Sequence, residues 1–282
     1  MANLQELQEL SAQVRRDILR MVYAVNSGHP GGSLGCTEFM VALYKEVMDY
    51  STDFKMDGKN EDVFILSNGH ISPVFYSVLA RTGFFPVSEL QTFRKLNSRL
   101  QGHPTTHEGL PGVRIATGSL GQGLSAGIGL AIAKKLDNDD HLVYTLQGDG
   151  ELQEGQIWEA LMYAGANKVD NIIMTIDVNG RQIDGDTDDV LNLGSIEAKL
   201  KSFMWDVVHV EDGNDMEQVL AGLKEAKSRT GKQKPVAILL HTEMGYGVDF
   251  MVGTHEWHGK APNAEQMETA MNQIPETLLK DY

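Results

Sequence analysis

The stretch HLVYTLQGDGELQEGQIWEALMYAGANKVDNIIMTIDVNGRQIDG, residues 141–185, decides the fold. It opens on an apolar run (141–148), passes a glycine turn, continues as a helical pattern (154–168) and re-enters an apolar run (171–177) before a polar turn. Short runs rich in Val and Ile, bounded by turn residues, read as strands buried on both faces. The stretch is therefore a βαβ crossover, whose two strand ends emerge on the same edge of the sheet. Asp149 follows the first strand and Asn179 the second, so the two are expected side by side where open α/β sheets bind ligands.

Further strands are expected at 62–67 (DVFILS), 205–210 (WDVVHV) and 235–240 (PVAILL). Leu4, Leu7, Val14, Ile18, Val22 and Val25 recur at helical spacing and stop at Ser27-Gly28. Helices are also expected near 36–48 and at 71–81, 88–97, 122–136, 195–202 and 214–228, the last with Asn214 and Glu217 as a capping box. A helix at 263–274 precedes a polar tail. This alternation predicts an α/β fold: a doubly wound, mainly parallel sheet with helices on both faces. With no repeat or low-complexity linker, residues 1–282 read as one domain, of which 263–282 form a peripheral C-terminal helix and tail.

Composition narrows the partners. The 24 Lys and Arg against 39 Asp and Glu give a net charge of −15, which repels nucleic acid and anionic membranes. The single cysteine, Cys36, makes neither an intrachain disulfide nor a multi-cysteine metal site. The opening MANLQELQEL lacks the pattern of a signal peptide and no run suits a membrane span, so a cytoplasmic location is expected.

Asp149 and Asn179 offer hard oxygen ligands suited to Mg²⁺ or Ca²⁺ completed by water and phosphate oxygens. Gly148 and Gly150 let backbone approach a phosphate, and the helix starting near Glu154 aims its N-terminus at the same place. Turn chemistry explains either ligand alone; the pair across one crossover reads as a metal–diphosphate site. Glu151 reads as solvated. For Glu154 and Glu159, burial of one or a surface role for both stays open. Histidines form a second group: His29, His70, His103 and His255 each occupy a glycine-bounded loop, which suits a polyol or phosphate pocket, although backbone hydrogen bonding explains any one of them. His107, His141, His209 and His241 read as structural, and His258 is open. In ATGSLGQGLSAGIGLA (116–131), close helix packing accounts for Gly127 and Gly129. Gly118, Ser119 and Leu120 either line a flat heterocycle or form a plain turn.

Seven segments, SGHPGGSLG, LSNGH, QGHP, ATGSLGQGLSAGIGLA, GDGELQEG, IDVNGRQIDGDT and GTHEWHG, occur in an order that resembles the diphosphate-binding domain of the transketolase family over about residues 20–260. The resemblance implies thiamine diphosphate and a divalent ion, with Asp149, Asn179 and the Arg181 carbonyl as metal ligands. It implies Gly150, His70 and His255 at the diphosphate, and residues 118–120 at the heterocycle. His29, His103 and His255 would handle substrate hydroxyls and protons, and Glu154 and Glu159 match family glutamates beside the cofactor and subunit interface. Arg181 departs from the family, whose residue there is apolar. The implied reaction, in pentose phosphate metabolism, moves a two-carbon ketol unit from a ketose phosphate to an aldose phosphate.

Nothing after GTHEWHG resembles the family's second domain, which supplies the activating glutamate, the aromatic pyrimidine pocket and the phosphate-binding arginines. The resemblance therefore implies the N-terminal subunit of a split transketolase, completed by a C-terminal subunit in a heterotetramer. The rival readings are half of a deoxyxylulose-phosphate synthase or oxo-acid dehydrogenase E1, or a non-catalytic phosphate-binding module. The GHP at His103 and GTH at His255 favour transketolase, and the four loop histidines argue against the binding module.

Overall fold

The computed structural model describes residues 3–282. Its sheet is built from β1 (Val63–Leu66), β2 (Val143–Gly148), β3 (Ile172–Val178), β6 (Asp206–Val210) and β7 (Val236–His241). A small hairpin of β4 (Arg181–Gln182) and β5 (Gly185–Asp186) follows β3 and leads into the short α7 (Thr187–Leu191). The order in the main sheet is β1-β2-β3-β7-β6 and every pairing in it is parallel. All five expected strands form within two residues of their expected bounds.

Successive strand residues face opposite sides, as the pleat requires. Phe64, Leu66, Tyr144, Leu146 and Ile173 join one core with α1 (Leu4–Ala24), α3 (Thr37–Ala42), α4 (Ser72–Arg81) and α9 (Met216–Arg229). Val63, Ile65, Val143, Ile172, Met174 and Ile176 join a second core with α5 (Gln122–Leu136), α6 (Gly155–Ala166) and α8 (Ile196–Ser202). The doubly wound architecture follows from this division. Among the described residues no helix is long and apolar enough to cross a membrane.

Four local expectations need correction. The helix expected at 36–48 is two pieces, α3 and a π turn at Leu43–Val47, and a separate α2 (Pro30–Gly35) precedes them. Pro30 at the first helical position starts α2 early, so the glycines after His29 are helical and buried. They serve close approach, since a Cβ on Gly31 would sit 2.9 Å from the Trp257 carbonyl oxygen. The helix expected at 88–97 shrinks to a 3₁₀ segment at Val87–Thr92, because Arg94 and Asn97 take left-handed φ values of 56° and 61°. The cap of α9 is Asp215, which accepts from the N–H groups of Glu217 and Gln218 at 2.8 and 3.1 Å; Asn214 instead bridges Gly35 and Glu243. Finally, packing explains Gly127, whose added Cβ would meet Thr145 at 2.7 Å, but nothing lies within 4 Å of one on Gly129.

The C-terminal region packs beside α1. Asn263 and Gln266 form a capping box that opens α10 (Ala264–Gln273), Ala270 is buried in the α1-side core, and Asp281 pairs with Arg16 at 2.8 Å.

Candidate active site

The β2 and β3 ends meet through their backbones. The N–H of Asp149 donates to the Asp177 carbonyl at 3.0 Å, continuing the parallel ladder one residue past Gly148 and Asp177. The Asp149 carboxylate then accepts from Gly150 N–H at 2.7 Å and from Gly180 N–H at 2.6 Å, so the turn after β2 grips the turn after β3. Asn179 donates through Nδ2 to Asp177 at 2.7 Å and accepts through Oδ1 from Arg181 N–H at 2.9 Å. The juxtaposition expected of a βαβ unit is present.

Asp149, Asp177, Asn179 and Arg181 line a cavity of about 270 Å³ together with His29, His70, His103, Gly118, Leu120, Gly150, Gln182 and His258. The histidines arrive from four separate chain segments. His29 precedes α2, His70 sits in a 3₁₀ turn at Gly69–Ile71, His103 in the loop before α5, and His258 just after a 3₁₀ turn at His255–Trp257. Ring centroids are 5.1 Å apart for His29 and His70, 5.6 Å for His29 and His258, 5.0 Å for His70 and His258, and 6.3 Å for His29 and His103. Gly118 makes room for this group: at φ 121° it carries no Cβ, which would stand 2.5 Å from the His103 ring.

Electrostatics set the protonation states. Burial, then neighbouring His258, Arg94 and His103, push His29 down to about 4. Burial and the other rings hold His70 well below its ordinary value, and burial lowers His103 and His258. The cluster is therefore neutral at pH 7. Burial and the facing Asp177 push Asp149 up to about 7, against backbone donors that favour its charged form.

Several expected residues stand elsewhere. His255 does not line the cavity; His258 does, and a 3₁₀ turn of three residues places His255 one turn further out on the same side. The repeated histidine three residues on in GTHEWHG was the signal for the inner position. Ser119 is exposed beside Gly118 and Leu120, and Glu154, the N-cap residue of α6, is exposed with Glu159. Glu151 is not solvated. It is buried, accepts from the Ser67 hydroxyl and from the N–H groups of Gly121 at 2.9 Å and Gly148 at 3.2 Å, and so ties the ends of β1 and β2 to the start of α5.

Polar atoms around the cavity lack partners: Oδ1 of Asn68, Oε1 of Gln182 and Nδ1 of both His29 and His258 are buried without a hydrogen bond. Buried polar groups are normally satisfied, so this set is arranged for a polar ligand. Among the described residues no trio of His, Cys, Asp and Glu converges as a metal site. A cation here would draw on one carboxylate, amide and carbonyl oxygens, and oxygens of the ligand, a set that fits a hard divalent ion.

Residues 8–275 match the family "Transketolase, thiamine diphosphate binding domain". The chain belongs to the transketolase family. It is 37% identical over 277 residues to an apulose-4-phosphate transketolase subunit of Phocaeicola vulgatus, covering 98% of this chain and 96% of that one. It is 35% identical over 274 residues to the 6-deoxy-6-sulfo-D-fructose transketolase subunit SqwG of a Clostridium species, with coverage of 95% and 96%. Human transketolase is 33% identical across 96% of this chain, which spans 42% of that longer protein. The solved Leishmania mexicana transketolase superposes with a TM-score of 0.89 at 31% identity, covering 99% of this chain and 42% of that one. This transketolase domain thus carries its sheet-edge cavity on the thiamine diphosphate-binding fold.

Proposed function

We propose that this chain is the N-terminal, diphosphate-binding subunit of a transketolase whose active site is completed by a C-terminal subunit. The observation that carries this reading is the sheet-edge cavity, where the buried carboxylates of Asp149 and Asp177 stand among unsatisfied polar atoms and, among the described residues, no Lys or Arg hydrogen-bonds either of them, the lining Arg181 pairing with Asp186 instead. Asp149, Asn179 Oδ1 and the Arg181 carbonyl would hold Mg²⁺ or Ca²⁺. Gly150, His70 and His258 would hold the diphosphate with His255 behind them, while Gly118, Ser119, Leu120 and Glu154 would border the heterocycle. Thiamine diphosphate, when bound, supplies the electron sink that cleavage of a ketose carbon–carbon bond requires.

The chain's own residues then bind, orient and move protons. His29 and His103, neutral at pH 7, accept and return protons at substrate hydroxyls through their ring nitrogens. Gly118 sets the position of His103 by leaving its ring room. Substrates are a ketose phosphate donor and an aldose phosphate acceptor. The relatives named for apulose-4-phosphate and for a sulfo-fructose favour a sugar set wider than the pentose phosphates.

Two relatives named as transketolase subunits match this chain nearly end to end, which supports a separate partner chain and a two-fold heterotetramer. The outer face of α6 offers a contact: Met162 and Tyr163 are about half exposed, Trp158 is partly buried and Glu159 lies beside them. The test is calorimetric titration of thiamine diphosphate into the assembled protein with Mg²⁺ or with chelator. Binding should require the ion, and Asp149→Ala should weaken it more than about a hundredfold, beyond the loss usual for an outer-shell group. Equal affinity in chelator would overturn the site. Ketol transfer by this chain alone, with cofactor and metal in excess, would overturn the split-subunit reading.

A further inference from the structure

Asp177 is the last strand residue but one of β3, 2% exposed, and its side chain takes no direct part in the roles assigned above. One carboxylate oxygen accepts from the Thr242 hydroxyl, the other from Asn179 Nδ2 at 2.7 Å, and the Cys36 thiol donates to it as well. Its carbonyl holds the Asp149 N–H at 3.0 Å. A single residue thus touches both turns that carry the expected metal ligands.

The chemistry of a primary amide makes one of these contacts decisive. The two ends of the Asn179 side chain have nearly the same shape, yet only Oδ1 can ligate a cation. With Nδ2 donating to Asp177 and Oδ1 accepting from Arg181 N–H, a half-turn of the amide would set oxygen against carboxylate and NH₂ against N–H. The arrangement permits one orientation. Thr242, from the segment after β7, and Cys36, at the junction of α2 and α3, hold the carboxylate from the other side. Such a costly buried charge is retained where it fixes geometry.

We propose that Asp177 is a positioning residue that orients the Asn179 amide oxygen toward a divalent cation bound at Asp149; this rests on the metal site proposed above. Asp177 acts through Asn179 and touches neither metal nor substrate. Removing it leaves the amide with one backbone contact and lets NH₂ face the ion part of the time, which weakens cation binding without removing a ligand.

Mn²⁺ is the probe, titrated into the full chain with thiamine diphosphate in excess and followed by the electron paramagnetic resonance signal of the free ion. Asp177→Ala should weaken Mn²⁺ binding about 10- to 100-fold, the range for an outer-shell partner. Asp177→Asn should stay within about threefold, because its amide oxygen still accepts from Asn179. In an Asn179→Ala background, Asp177→Ala should cause no further loss, as groups acting in series are non-additive. Wild-type affinity in Asp177→Ala, or losses that add in the double variant, would overturn the proposal. If thermal melts show Asp177→Ala unfolded, the near-isosteric Asp177→Leu is measured with the same expected and contrary outcomes. Failure of Asp149→Ala to weaken Mn²⁺ sinks the metal site itself, whereas its success alongside an unaffected Asp177→Ala sinks only the role of Asp177.

Discussion

Two buried acidic centres in this molecule are built in opposite ways. Asp17 on α1 is fully buried and completely answered: Arg81 donates to both of its oxygens at 2.9 Å, Ser77 adds a bond at 2.8 Å and Gln13 one at 3.1 Å. Asp149 and Asp177 are also buried, and Asp177 adds to the cost of ionising Asp149, yet they face backbone N–H groups, hydroxyl, thiol and amide, with no Lys or Arg among the described residues bonded to either. A carboxylate with an internal cation cements helices; a pair without one would, on the function proposed above, take its cation from outside. The difference separates structure from function more sharply than burial does, since all three side chains are hidden from solvent.

The largest effect expected from this contrast is on stability. Asp17→Ala should cost about 3–5 kcal/mol in denaturant unfolding, because it strands Arg81 in the interior, and should leave cofactor affinity unchanged. A loss below about 1 kcal/mol would show that the two centres are not different in kind. Asp149→Asn should do the reverse. Removing one of two unpaired carboxylates relieves repulsion but sets NH₂ against one of the two backbone N–H groups that the carboxylate answered, so the stability of the metal-free chain should change by less than about 1 kcal/mol while ion-dependent cofactor binding is abolished. An equally destabilised Asp149→Asn would return that centre to a structural role.

The histidine cluster sharpens the comparison on the pH axis. Folding holds His29 at about 4 against an unfolded value near 6.5, so below pH 6.5 the unfolded chain binds a proton that the folded chain refuses. Stability contributed by the neutral ring is present above 6.5 and lost as the pH falls toward 4. His29→Gln should flatten the stability profile in that window by up to about 1.4 kcal/mol per pH unit. Urea unfolding midpoints at half-unit steps of pH measure it; parallel profiles would place the His29 ring in solvent.

Much of this is legible in sequence because it depends on local pattern and on topology. Apolar run length locates all five parallel strands, and crossover geometry places Asp149 beside Asn179. What escapes depends on contacts between distant segments. Glu151 follows two glycines and looks like a surface turn; only the arrival of Ser67 and Gly121 buries it. His255 and His258 stand three residues apart in similar surroundings, and the 3₁₀ turn between them decides which enters the cavity. Arg94 illustrates a third kind of miss. Helical spacing runs through it, but its guanidinium reaches Ser27 Oγ at 2.9 Å, and its left-handed backbone goes with that long-range bond.

The strand order also bears on how the molecule comes to be assembled. β2 and β3 pair across a single helical crossover, as do β6 and β7, whereas β1 must find β2 across the whole of α4, the His103 loop and α5, and β3 must wait for β7. Loop closure disfavours the distant pairings until local ones exist. The β2–α6–β3 unit is one of the two pairs closed by a local crossover, and it is the unit bearing Asp149, Asp177 and Asn179. The turns carrying Asp149 and Asn179 are thus joined by one short crossover, whereas the histidines that face them are gathered from four separate stretches of chain.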